Sequence, residues 1–509
     1  MRLLQYSEND KLFQGSFDEK HKLFQTTFLI KQQLFIFLRA PDSYLSPSAS
    51  PLGCLEKEGH EVLPTNENLV QSLRHDTIGR NDDVFRFVNI LDSVDCGYSI
   101  ALDGRWGSGK TFFVRQAKLV LDAENEQLTG MDSDTRNEIC ALYAKHVQED
   151  KELQSQVCVY YDAWENDNDE DPVLSLIYSI LTEVNSNFSF SKDKDIPSIA
   201  AAIVDSLTGQ KLSQILKELK SETALDSLKS ARDLREKICE FFDSILSEKG
   251  DRLVIMIDEL DRCKPSYAVK MLERIKHYFI NERITFVFSV NTYKLQKTIR
   301  KHYGDGFDAG RYLDRFFDLR INLPPANWGK YYAEIGFSNS PYLVDQVIDA
   351  VIKEFDFEFR EVSKFFPKVK AAVYRKTQGN DIYGYFLSFQ SGPQFGLCVI
   401  VPILIGLEIH DSTKRFDFIT GRNSEPLISV VKRVGVQAFS CLLKNGESFD
   451  PDAKQFKYVK LEERLEQLYK VLFGNMLGRD TAYGELPRAS HCRVVILSAA
   501  FLQRNYRFF

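Results

Sequence analysis

The sequence predicts an α/β fold, a parallel sheet with helices on both faces followed by an α-helical domain, and three observations carry that prediction. Ser99 to Leu102 is a short apolar run leading into Gly104-Arg105-Trp106-Gly107-Ser108-Gly109-Lys110-Thr111. That stretch matches the G-x-x-x-x-G-K-[ST] phosphate-binding loop without a break, and Thr111 to Leu121 then has helical spacing. Arg252 to Ile257 is a continuous apolar run bounded by charge, the pattern of a central parallel strand, and it ends in Asp258-Glu259. After Pro325 the apolar residues recur at helical intervals.

Taken in order, residues 1–65 read as an extension and linker, rich in Phe and Leu up to residue 40 and then in Ser and Pro from Ser43 to Pro51. Asp83 to Leu91 has the spacing of a helix before the loop strand. A charged helix is predicted from Asp134 to Asp150, then a second strand from Val157 to Tyr161. That strand runs into the acidic stretch Asp162-Ala163-Trp164-Glu165 to Asp171, which taken alone is a solvated turn and helix cap. Pro172 opens a helix through Val184, in the position proline favours, and residues 190–247 read as more helix. Pro265 starts a helix whose Val269, Leu272, Ile275 and Phe279 share one face. Ile284 to Val290 is the next strand, with Asn291 at its end, and Tyr312 to Asn322 reads as a helix and a final strand.

Amphipathic helices follow from Leu343 to Phe355 and from Phe357 to Val373, with Pro367 predicted to break the second. Phe395 to Leu407 is strongly apolar, but its length and Pro402 make it a buried core helix rather than a membrane span. Leu461, Leu465, Leu468 and Leu472 form a last stripe, read as bundle core. The predicted divisions are therefore 1–65, a nucleotide-binding core over 66–326, a helical lid over 327–430 and a helical region over 431–509.

Composition narrows the class. A chain of 509 residues with 44% hydrophobic and 27% charged residues is that of a soluble protein with ample cores. Its net charge of −7 supplies no general attraction to nucleic acid. The nine cysteines are scattered without a C-x-x-C pair, which predicts reduced thiols, a cytoplasmic setting and no structural zinc. The adjacent pair His491-Cys492 reads as structural, and Glu8, Asp10 and Lys11 interrupt any signal peptide.

The loop and the acidic strand end point to one chemistry. The glycines let the backbone of the binding loop, Gly104 to Phe112, turn its amides toward phosphate oxygens at the positive end of a helix. Lys110 would reach the β- and γ-phosphates, Thr111 and Asp258 would hold Mg²⁺, and Glu259 would act as general base on the attacking water. Asn291 would orient that water, against the plain alternative of an Asn starting a turn. Arg315, or another arginine of its segment, would reach a phosphate in the same subunit or a neighbour's, against the alternative of surface ion pairing.

Together these residues resemble the KAP family of P-loop NTPases, relatives of the STAND and AAA+ ATPases. The resemblance rests on the phosphate loop, Tyr161-Asp-Ala-Trp164-Glu, Ile257-Asp-Glu-Leu-Asp-Arg-Cys263 with Lys264-Pro265, Tyr312-Leu-Asp-Arg-Phe316, Leu323-Pro-Pro325 and Phe357-Glu-Phe-Arg360-Glu361. It spans about residues 70 to 430, and the segment Asp76 to Asp83 is similar to one that runs near the adenine. It implies an additional-strand P-loop sheet, ATP with Mg²⁺, a helical domain closing over the nucleotide with Arg360 beside it, and a regulatory role. Bacterial relatives include proteins that exclude phage, and animal relatives are signalling scaffolds at membranes. Many members carry transmembrane helices between the two nucleotide motifs, and residues 112–251 contain none. The family often has Asp-Asp where this chain has Asp258-Glu259.

Three readings follow: a slow ATPase switch, an ATP-binding scaffold with negligible turnover, and a P-loop kinase. The acidic strand end and Asn291 favour hydrolysis, and no acceptor-binding motif supports the kinase. The expected partners are a protein or a second copy of the chain, without a clear nucleic-acid site. Peripheral membrane association stays open, with no convincing transmembrane helix.

Overall fold

The computed structural model describes residues 63–94, 97–146, 153–187, 224–279, 281–337, 342–373, 395–435, 438–439, 449–450, 455–456 and 458–473. The extension up to residue 62, residues 190–223 of the segment predicted as helix and the His491-Cys492 pair lie outside the described residues.

Helices α1 (Asn66–His75) and α2 (Asn81–Ser93) lead into strand β1 (Ser99–Asp103) and, after the loop, helix α3 (Lys110–Glu124). Then come α4 (Ser133–Ala144), β2 (Gln156–Asp162), α5 (Pro172–Asn187), α6 (Ala224–Lys249), β3 (Arg252–Asp258), α7 (Pro265–Tyr278), β4 (Ile284–Val290), α8 (Thr292–Tyr303), α9 (Ala309–Leu313) and β5 (Leu319–Asn322). The strands form one parallel sheet of order β2-β3-β4-β1-β5. β4 is the additional strand, lying between loop-bearing β1 and acid-bearing β3. The register sets Asp162 against Asp258 and Asp258 against Ser289, so the chemically useful side chains emerge at one end of the sheet. That end is where parallel α/β sheets bind ligands.

Both faces are covered, which is why the strands read as continuous apolar runs instead of alternating ones. Ile100, Leu102, Val254, Met256 and Val287 pack with α2 and α3 residues on one face. Ala101, Val159, Ile255, Ile257 and Phe288 pack with α5, α6 and α7 on the other. β5 is the exposed edge, with Leu319 and Arg320 open to solvent.

The helical part comprises α10 (Trp328–Glu334), α11 (Leu343–Glu354), α12 (Phe359–Val373), α13 (Val401–His410), α14 (Ser412–Ile419), α15 (Glu425–Val434) and α16 (Tyr458–Phe473), with a two-residue antiparallel pair, Phe449–Asp450 and Gln455–Phe456, before the last. A separate apolar core made only of residues from Tyr331 onward holds it. Pro367 does not break α12, contrary to the sequence expectation. An interior proline costs about 3 kcal/mol. Val362, Phe365, Phe366, Val369, Ala372 and Val373 are all buried on this helix, at about 1.5–3 kcal/mol for each large side chain, and that outweighs the proline. The apolar stretch 395–407 is a π-helical turn, Gly396–Ile400, continuing into α13, buried throughout in the helical core. No described helix is long and apolar enough to cross a membrane.

Candidate active site

The phosphate loop takes the backbone shape its glycines allow. Gly107 and Gly109 lie at φ +83° and +90°, where a side chain would strain the chain. A Cβ at Gly107 would also sit 3.1 Å from the Arg360 Cβ, because the start of α12 lies directly on the loop. The Arg360 amide donates to the Gly107 carbonyl at 3.4 Å. Gly109 caps α3, whose first amides have no intrahelical acceptor and present positive charge to the cavity. Lys110 is 6% exposed and donates from Nζ to the carbonyls of Gly104 at 2.9 Å and Arg105 at 3.2 Å. Burial lowers its pKa, against the pull of Asp261, Asp258 and Glu259.

The acidic strand end faces it. The Thr111 hydroxyl donates to Asp258 Oδ2 at 2.6 Å, and the Tyr160 hydroxyl donates to the same oxygen at 3.1 Å. Asp258 is fully buried, and its Oδ1 accepts from the Glu259 amide at 2.9 Å. Glu259 takes a left-handed conformation, φ +59°, and its carboxylate pairs with Arg262 Nε at 2.6 Å across one 3₁₀ turn. Burial, reinforced by Asp258, pushes the Glu259 pKa up to about 7, while Arg262 and Lys110 act against the shift. Burial also raises Asp261, which accepts a hydrogen bond from Trp106 Nε1, and Asp162, whose Oδ1 caps the turn at Trp164 and Glu165. Four carboxylates thus share a region with two cations, Lys110 and Arg262. The oxygen donors of Thr111 and Asp258 are of the kind that holds a hard divalent cation.

A cavity of about 420 Å³ joins these groups. Gly107, Gly109, Lys110, Thr111, Phe112, Asp162, Trp164, Glu259 and Arg262 line one side. Ile78, Tyr331, Phe359, Arg360 and Ser363 line the other, with Leu63, Pro64, Asn68 and Gln71 closing it along α1. Behind the loop, buried Arg80 donates to the Ser108 carbonyl at 2.8 Å beneath the Phe359 ring, and burial depresses its pKa to about 10.

Half of the site residues singled out from sequence meet at one place: Gly107, Gly109, Lys110, Thr111, Phe112, Glu259 and Arg360 line the cavity. Asp258 lies directly behind Thr111, and Trp164 lines the cavity on the loop after β2, still 54% exposed. Gly104, Arg105, Trp106, Ser108, Asn291 and Arg315 are not among the cavity-lining residues. Asn291 caps α8, its side chain accepting from the Lys294 amide at 3.0 Å. Arg315 is solvent-exposed in the turn between α9 and β5. Arg105 turns outward to pair with Asp356, and with Glu358 at 3.2 Å. Arg262, Tyr160 and Arg80 were given no role from sequence. Arg262 lay inside the quoted acidic motif, but nothing in the string says that two tryptophans from other segments reach it.

Comparison with protein families matches residues 85–329 to the KAP family P-loop domain. No curated protein matches the chain. Among solved structures, that of the Aeropyrum pernix ORC2 protein in ADPNP-ADP complexes is 11% identical, covers 83% of this chain and 95% of its own, and has a TM-score of 0.23. At that score the likeness carries no argument. The matched residues contain the phosphate loop, all five strands and the acidic strand end: residues 85–329 of the chain form a KAP family P-loop domain.

Proposed function

We propose that the chain binds ATP with Mg²⁺ and hydrolyses it slowly, as a regulatory switch of the kind used in phage defence or signalling. The observation that carries this reading is the meeting of Lys110, Thr111–Asp258 and Glu259 around one cavity whose far side belongs to the helical region. The loop amides and the N-terminus of α3 bind the phosphates. Lys110 exchanges its two carbonyl acceptors for β- and γ-phosphate oxygens. Thr111 and Asp258 fit the metal by their oxygen donors, and Mg²⁺ when bound neutralises charge on the phosphates. Glu259 accepts the proton of the attacking water.

Arg360 reaches the nucleotide from the helical region, which makes that region, about residues 327–430, the reader of its state. Asn291 stands at the end of β4, between the β1 and β3 ends, as the residue that orients water. Exposed Arg315 suits a γ-phosphate held by a neighbouring copy of the chain. Tyr331, Phe359 and Ile78 seat the base.

Single-turnover hydrolysis of ATP tests the reading. Glu259→Gln should keep ATP binding and lower the rate by about 10²–10⁴-fold, the usual worth of a general base. Hydrolysis by this variant at the wild-type rate would sink the assignment, and a wild type that binds ATP without turnover would leave the scaffold reading instead.

A further inference from the structure

We propose that Arg262 is the positioning residue of Glu259: a guanidinium caged by the indoles of Trp106 and Trp164 fixes the carboxylate at the wall of the nucleotide cavity. The inference rests on the reading of Glu259 as the base. It also absorbs two tryptophans that the phosphate chemistry leaves unexplained.

Glu259 and Arg262 are the first and last residues of one 3₁₀ turn, where side chains three apart eclipse and meet. Their ion pair, 2.6 Å, is well shielded, with side chains 12% and 18% exposed. The guanidinium carbon lies 5.3 Å from the Trp106 ring centre and 5.6 Å from that of Trp164, within cation–π range of both. Trp106 is itself held, through Nε1 on Asp261, and Lys294 Nζ lies 4.9 Å from its ring centre. Three separate stretches therefore converge on one side chain: the phosphate loop, the loop after β2 and the turn after β3. The two indoles remain 42% and 54% exposed, large apolar surface left beside a charged cavity.

The chemistry asks for such a fixture. A glutamate has three rotatable side-chain bonds, and a base misplaced by about an ångström loses on the order of a hundredfold in rate. Glu259 also starts from a left-handed backbone that a non-glycine residue adopts only when its surroundings enforce it. Arg262 supplies a partner for it: its permanently charged guanidinium meets the carboxylate through Nε while lying within cation–π range of both indoles. Lysine retains the charge but has neither the Nε–H donor nor the delocalised guanidinium plane.

The test uses the full chain, with Mg-ATP binding and single-turnover hydrolysis measured separately. Arg262→Ala should bind Mg-ATP within about threefold of wild type and hydrolyse it at least about tenfold more slowly, with Arg262→Lys intermediate. In the Glu259→Gln background, adding Arg262→Ala should cost nothing further, because a residue acting only through Glu259 has nothing left to position. A merely structural role would give additive losses. Trp164→Leu keeps the ion pair and removes one wall of the cage. It should slow hydrolysis by about two- to fivefold, again only while Glu259 is present, and it serves if the arginine variants fail to fold.

Affinity falling as far as rate would mean that Arg262 touches the nucleotide, and faster hydrolysis would make the pair a lock. Either result, an unchanged rate or an additive double variant overturns the proposal. If Glu259→Gln itself hydrolyses normally, the assignment of the base has failed. If Glu259→Gln stalls while Arg262→Ala does not, this inference alone has failed.

Discussion

The two walls of the cavity are built from different material by different means. One wall is charged, drawn from the ends of β1, β2 and β3, and its members are fixed by polar contacts: Lys110 by hydrogen bonds to loop carbonyls, Thr111 by one to Asp258, Glu259 by its ion pair with Arg262. The other is aromatic and comes from the starts of α10 and α12. Its members are fixed by packing, with Phe359 4.4 Å from the Tyr331 ring centre and 4.9 Å from that of Trp328. Tyr331 belongs to the helical core, and Phe359 and Trp328 pack against it. A strand end is held by neighbours on both sides in register, so it places charge reproducibly. A helix start answers to its own core and can shift with it. On the proposed function, the chemistry belongs to the first kind of wall and the reading of nucleotide occupancy to the second.

The largest effect belongs to the charged wall. Lys110→Ala removes the only cation lying on the loop carbonyls Gly104 and Arg105 among the described hydrogen bonds. It should lower ATP affinity by about a hundredfold or more, since a charge-assisted contact to phosphate is worth about 1.5–3 kcal/mol and two phosphates lose it. Isothermal titration with Mg-ATP reads this directly, and retained micromolar binding would move phosphate recognition away from the lysine. The next effect lies on the aromatic wall. Phe359→Ala should weaken ATP binding by about tenfold, the worth of one stacked base at about 1–3 kcal/mol, while the single-turnover rate of bound ATP stays near wild type. Loss of rate without loss of affinity would reverse the division of labour between the walls.

How much of this was legible in the string follows the same division. The charged wall is nearly all present in contiguous motifs, because a phosphate loop must be local: amides, lysine and threonine are consecutive along one turn and the helix after it. Asp258 and Glu259 were legible because an apolar run ending in carboxylates reads as a central strand. The aromatic wall was only half legible. Arg360 and Phe359 stood in a recognised stretch, but Tyr331 is an ordinary core-type residue whose place depends on how the helical part lies on the loop, and Ile78 is one that packs on the sheet-side core. Pro367 misled because proline's local penalty is readable and the burial that overrides it is not. The Arg262 cage was hidden for the same reason, since stacking partners distant in sequence leave no spacing to read.

The smallest effect should come from the seam where the two walls touch. Arg105 of the loop pairs with Asp356, and with Glu358 at 3.2 Å, just before α12. By count this looks like a latch between loop and helical part. Its members are open to water, though, with the Arg105 and Asp356 side chains 57% and 79% exposed. Exposed pairs of this kind contribute about 0–1 kcal/mol because solvent and salt screen them. What holds the seam is closer in: the Arg360 amide on the Gly107 carbonyl, the close approach by which a side chain at 107 would come within 3.1 Å of the Arg360 Cβ, and Arg80 between the Ser108 carbonyl and the Phe359 ring. Arg105→Ala should therefore leave ATP affinity within about threefold of wild type and lower thermal stability by under about 1 kcal/mol. A drop as large as that of Phe359→Ala would show that the walls are joined through the exposed ion pairs and not through the buried contacts behind them.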